Sequence, residues 1–184
     1  MTDLRITLSP REIPARLRAT CSDVGLDLDV IYEIGPPASG TGIQRRIEAL
    51  VQLPSSAWLV SIGGLELCFS DATRLSGLAF YANFADAEPE ELVPLMDAPP
   101  AWLALPGFDL AEDDRFSVDA VVHVSMDRRR GAVRLRLMDA GRDHRAYSLA
   151  DGLVIWVDVA GYLVSLVAHG IEWTVSTPVH TPEC

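Results

Sequence analysis

The most constraining stretch is Leu26–Ile34, where Leu26, Leu28, Val30, Tyr32 and Ile34 alternate with Asp27, Asp29, Ile31 and Glu33. A two-residue period is that of a β-strand with one face buried. The acids on the other face must reach water, so this strand cannot be covered on both sides like one in a parallel sheet. The expectation is an antiparallel sheet with one wet face. Leu4, Ile6 and Leu8 repeat the pattern, as do two further strand-like runs at Trp58–Phe69 and Leu75–Phe84. Phe116–Met126 and Ala132–Met138 read as a hairpin with an Arg-rich tip, Asp127-Arg128-Arg129-Arg130-Gly131.

Helical signals interrupt the strands. Ser9-Pro10-Arg11-Glu12 has the order of a capping box, with Ile13, Leu17 and Cys21 (or Thr20) on one face of a short helix. A second helix is expected at Ile43, Ile47, Leu50 and Val51, and a short acidic one at Glu88–Met96. Ala98–Pro106, with three prolines, reads as an irregular crossover. The stretch 149–170 fits either a helix or a hairpin turning at Val159-Ala160-Gly161; its Val/Ile density favours the hairpin. The expected fold is therefore α+β: one domain over 1–184, a largely antiparallel sheet with two or three short helices packed on it, and a fraying tail at 177–184. At 184 residues and 49% apolar composition the chain can bury a core without staples.

Charge excludes several functions. The formal net charge is −11, and all fifteen cations are Arg. Schiff-base chemistry on an enzyme lysine has no residue to use. The loop Gly35–Gly42 resembles a phosphate loop in its glycines, but Thr41-Gly42 stand where Lys and Ser/Thr are needed. An acidic chain does not suit a phosphate backbone or an anionic bilayer, so neither nucleic acid nor membrane is expected as a partner. Three cysteines without CxxC spacing give no disulfide framework. With no signal-like N-terminus and no long apolar run, a reducing cytoplasm is the expected location.

Little catalytic chemistry is visible. The four histidines, His123, His144, His169 and His180, show no convincing ligand spacing beyond His180-x-x-x-Cys184, and neither metal nor cofactor is expected. Cys68, in an apolar run, reads as an inert core thiol. His123 shares a strand face with Asp119, Ser125 and Asp127. His123, Asp127, Arg134 and Arg136 thus form an alternative catalytic or ligand-binding set, a pocket of imidazole, carboxylate and guanidinium groups.

The charges are segregated. Ten acids and only Arg115 lie between Asp86 and Asp119, whereas seven arginines lie between Arg128 and Arg145. The two segments could neutralise one another within the molecule, or one of them could be a docking surface. In the docking reading, Asp86, Glu88, Glu90, Glu91, Asp97, Asp109, Glu112, Asp113 and Asp114 meet a basic protein, and Trp102, set among prolines, is the apolar anchor.

Ile47-Glu48-Ala49-Leu50, then Leu53-Pro54, then Gly63-Gly64 resembles the opening of the SUKH superfamily, the Smi/Knr-like proteins. Trp102-Leu103-Ala104-Leu105-Pro106 and Asp113–Asp119 are similar to that family's mid-chain strands. The resemblance implies an α+β fold and, as in many bacterial members, an immunity protein that neutralises a basic toxin by occlusion. The leading expectation is thus a non-catalytic acidic binding protein; the alternative is a small-molecule enzyme or ligand binder built on His123, Arg134 and Arg136.

Overall fold

A computed structural model describes residues 5–22, 25–32, 58–71, 74–95, 97–104, 115–138 and 143–173. Among these the chain is built of strands: β1 (Thr7–Pro10), β2 (Ala15–Cys21), β3 (Gly25–Tyr32), β4 (Trp58–Ile62), β5 (Leu65–Asp71), β6 (Arg74–Tyr81), β7 (Glu88–Pro89), β8 (Ala101–Ala104), β9 (Arg115–Val118), β10 (His123–Asp127), β11 (Ala132–Arg136), β12 (His144–Ala150), β13 (Leu153–Asp158), β14 (Leu163–His169) and β15 (Glu172–Trp173). The only helical piece among the described residues is a 3-10 turn at Phe84–Asp86. The α+β expectation is therefore overturned in favour of an all-β architecture. The loop at Gly35–Gly42, the helix expected at Ile43–Val51, and the tail at 177–184 lie outside the described residues.

A seven-stranded sheet runs β15-β2-β3-β6-β5-β4-β9, a six-stranded sheet runs β12-β13-β14-β11-β10-β7, and β1 pairs β8 in a two-stranded ribbon. Most neighbours are antiparallel; β15–β2, β4–β9 and β7–β10 are short parallel contacts. The two large sheets share one core, to which Leu28, Leu65, Leu67, Leu78 and Phe80 contribute from one side and Leu135, Leu153, Ile155 and Leu166 from the other. Backbone bonds stitch the layers where they meet: Leu17 N–H donates to the Asp151 carbonyl (3.1 Å) and Asp151 N–H to that of Ala15 (2.7 Å).

β3 behaves as its alternation dictates, with Leu26, Leu28 and Val30 buried and Asp27 and Asp29 exposed. The expected N-terminal helix is instead β2. Ile13, Leu17 and Cys21 are spaced by four, which is compatible with a strand as well as a helix. The intervening Ala15 and Ala19 are buried while Arg16 and Arg18 are exposed, so the period is two. Pro14, lacking an N–H, favours the strand start over a helix interior. The run Trp58–Phe69 is two strands, because Gly63 and Gly64 turn the chain at φ of 51° and 87°. A side chain at Gly63 would place its Cβ 1.8 Å from the Ala120 carbonyl oxygen.

The 149–170 stretch is the hairpin β13–β14. Asp158 organises its turn, accepting the N–H groups of Ala160 and Tyr162 at 2.9 Å each. Every residue from Leu163 to Ala168 is buried, so β14 is covered on both faces and carries no alternation. That erases the pattern by which a strand is told from a helix. Ala98–Pro106 is also more regular than expected, since it contains β8. No helix among the described residues is long and apolar enough to cross a membrane.

Candidate functional site: an acidic strap beside an arginine tip

The expected acidic helix at Glu88–Met96 is absent; among its described residues the chain is extended, beginning with β7 beside β10. Pro94 explains this, because it removes a donor that a helix interior needs and biases Val93 away from the helical region. The segment 88–95 lies as a strap along the outer face of the six-stranded sheet. Glu90 N–H donates to the Met126 carbonyl at 3.0 Å. Leu92, 1% exposed, packs on Ala132 and Val167 with Trp156 at the margin.

The β10–β11 hairpin presents its tip to this strap. Its register places His123 opposite Arg136, Ser125 opposite Arg134 and Asp127 opposite Ala132. Asp127 is 8% exposed and organises the junction. Its Oδ1 accepts the backbone N–H groups of Arg129 and Arg130, both at 3.1 Å. Its Oδ2 accepts the Leu92 N–H at 3.3 Å and Arg130 Nη1 at 2.9 Å. The Arg130 side-chain bond, helped by the backbone donors, holds the Asp127 carboxyl below the usual range against the opposing effect of burial. The same partnership, together with a 2.8 Å bond from Arg130 Nη2 to Glu91, raises the Arg130 pKa.

Glu90 is engaged twice, accepting from Arg134 Nη1 and from the Ser125 hydroxyl. The Arg134 guanidinium carbon also lies 5.7 Å from the centroid of Trp156. Arg128 lies 5.9 Å from that of Trp173, its Nε 3.2 Å from Met126 Sδ. Between strap and tip is an open cleft of about 1040 Å³, floored by Phe84, Ala87, Pro89 and Met126 and walled by Glu90, Glu91 and Arg128–Arg130.

The alternative catalytic set is only partly assembled. His123 and Arg136 share a hollow of about 170 Å³ with Glu88, Pro89, Glu90, Val124 and Ser125. Arg134 is turned to Glu90, and Asp127 stands at the tip holding backbone. The hollow is smaller than the roughly 300 Å³ at which small-molecule pockets begin.

Of the expected docking residues, Asp86, Glu88, Glu91 and Asp97 are exposed, Asp86 also accepting from Asn83 Nδ2 at 2.6 Å. Glu90 is half-buried in its bonds to Arg134 and Ser125. Trp102 is half-buried in β8, its ring centroid 4.8 Å from that of Tyr32, and does not stand out as an isolated anchor. Asp109, Glu112, Asp113 and Asp114 lie outside the described residues. On the strap itself the apolar groups that project are Val93, 68% exposed, and Leu95, 44% exposed; Ile31, Tyr81, Val121 and Val159 project elsewhere. Their signal in the sequence is Pro94, which stands between them and opposes a helix there.

Cys68 is half-buried and not in the core; burial, then Glu66 and Asp29, push its thiol pKa up and keep it protonated. Among the described residues no three His, Cys, Asp or Glu side chains converge as a metal site. Compared with known proteins, the chain matches no family model, and no curated protein matches it.

Proposed function

We propose that the protein is a non-catalytic acidic binding module that docks a basic partner protein through the outward side of its strap. The observation that carries this reading is the exposure of Val93 and Leu95, with Glu88 and Asp97 to either side, on a segment fixed at Glu90 and Leu92. Apolar groups rimmed by charge are the makings of a protein interface, with the apolar pair supplying burial and the acids supplying orientation. A segment already held by hydrogen bonds loses little freedom on binding. The net charge of −11 favours approach of a cationic surface. In the immunity form of this reading the partner is a toxin domain, and covering its surface is the whole activity.

The test is calorimetry against basic proteins, beginning with the product of the adjacent reading frame. The expected association weakens as salt rises. Glu88→Arg with Asp97→Arg is expected to weaken it about tenfold, the sum of two rim charges reversed at roughly 0.7 kcal/mol each. Val93→Ser with Leu95→Ser is expected to slow no folding step but to raise the dissociation rate. Binding that ignores both pairs of substitutions overturns the proposal.

A further inference from the structure

We infer that the cleft between the strap and the Arg128–Arg130 tip is a second binding site, of opposite sign to the strap's outer side, and that it takes the side-chain carboxylates of an extended acidic–apolar peptide. The inference comes from following each charge in the cleft wall. Its three carboxylates are already engaged: Glu90 by Arg134 and Ser125, Glu91 by Arg130, and Asp127 by Arg130 and three backbone N–H groups. Arg128 contacts a thioether and an indole face, neither of which neutralises it. Arg129 is exposed, and among the described residues no carboxylate lies within ion-pair distance of it or of Arg128. Two guanidinium groups with no carboxylate partner among the described residues therefore stand at the rim of a cleft in an otherwise acidic protein.

The floor supplies the second half of the recognition. Phe84 and Met126 are nearly buried, and with Ala87 and Pro89 they offer apolar contact beneath the guanidinium groups. An open cleft of about 1040 Å³ suits several residues of extended chain better than an enclosed metabolite. Asp127 holds the backbone of Arg129 and Arg130, so the tip is oriented before a ligand arrives. A polyphosphate chain fits less well, because it has no apolar groups to set on the floor of Phe84, Ala87, Pro89 and Met126.

The experiment is fluorescence anisotropy on the full chain with a labelled acetyl-Glu-Leu-Glu-Leu-Glu-amide peptide, its Gln-for-Glu counterpart, and an oligothymidylate competitor. The acidic peptide is expected to bind at least about fivefold more tightly than the Gln peptide, and less tightly as salt rises. Arg128→Ala with Arg129→Ala is expected to weaken it about five- to twentyfold. These side chains are exposed, so the variants should fold, which circular dichroism checks. Glu91→Gln removes one of the two carboxylates on Arg130 and is expected to tighten the acidic peptide, whereas Val93→Ser with Leu95→Ser is expected to leave the peptide unaffected and to weaken docking of a basic partner at the strap; the two readings thus fail separately. Equal binding of the two peptides, indifference to the double substitution, or stronger binding of the oligothymidylate overturns the inference.

Discussion

Asp127 is the residue on which most of this geometry turns. Because its folded-state pKa is depressed, its contribution to stability is complete above the ordinary Asp value of about 3.9 and is lost as pH falls below that. Asp127→Asn is expected to lower the melting temperature at neutral pH and to remove part of the acid limb of the stability profile, read by thermal melts from neutral pH downward. His169 behaves in the same direction for another reason. Burial lowers its pKa, an effect only partly countered by Asp127, so the folded state favours the neutral ring. Stability is full above the ordinary His value of about 6.5 and declines as pH falls through the interval below it. His169→Gln is expected to flatten the melting temperature across that interval; an unchanged slope would assign it elsewhere. Gly63→Ala forces a positive φ on a residue with a Cβ and drives it into the Ala120 carbonyl, at a cost of roughly 1–3 kcal/mol or more.

At the scale of elements, the strap is held to the sheet by one apolar side chain and a few polar bonds. Leu92→Ala is expected to cost about 2–4 kcal/mol, seen as a lower urea midpoint with an unchanged slope. Hydrogen exchange at Leu92 should accelerate beyond that of β10. Which elements the sequence revealed follows from their surroundings. β3 is plain because one face is wet and the other dry. The β10–β11 hairpin is plain at its Arg-rich turn, but its expected first arm, Phe116–Met126, divides: Arg115–Val118 is β9 of the other sheet, and only His123–Asp127 pairs with β11. β2 was obscured because a spacing of four serves both periods. The strap is obscured because acids and leucines suggest a helix, and Pro89 suits a helix start, while only Pro94 opposes it. The segregation of acids and arginines was also legible, including the possibility that they meet within the molecule. Which acid meets which arginine was not, because that depends on a parallel contact between β7 and β10, distant in the chain.

At the scale of the molecule, the contacts are largely non-local. Glu172 pairs with Thr20, and Arg115 with Leu59, so closing the seven-stranded sheet requires distant segments to find one another. Refolding is expected in the range of roughly milliseconds to seconds or slower, measured by stopped-flow tryptophan fluorescence after dilution from urea. A microsecond phase of full amplitude would contradict this topology. The sandwich carries mixed charge on both outer faces: exposed Arg18 stands opposite exposed Asp29 on one sheet, and the strap meets the arginine tip on the other.

That one carboxylate grips both Leu92 and the backbone of Arg129 and Arg130 makes it a mechanical linkage. Loss of that carboxylate frees the strap and the arginine tip together, so amide exchange in Asp127→Asn is expected to quicken at Leu92, Arg129 and Arg130 alike.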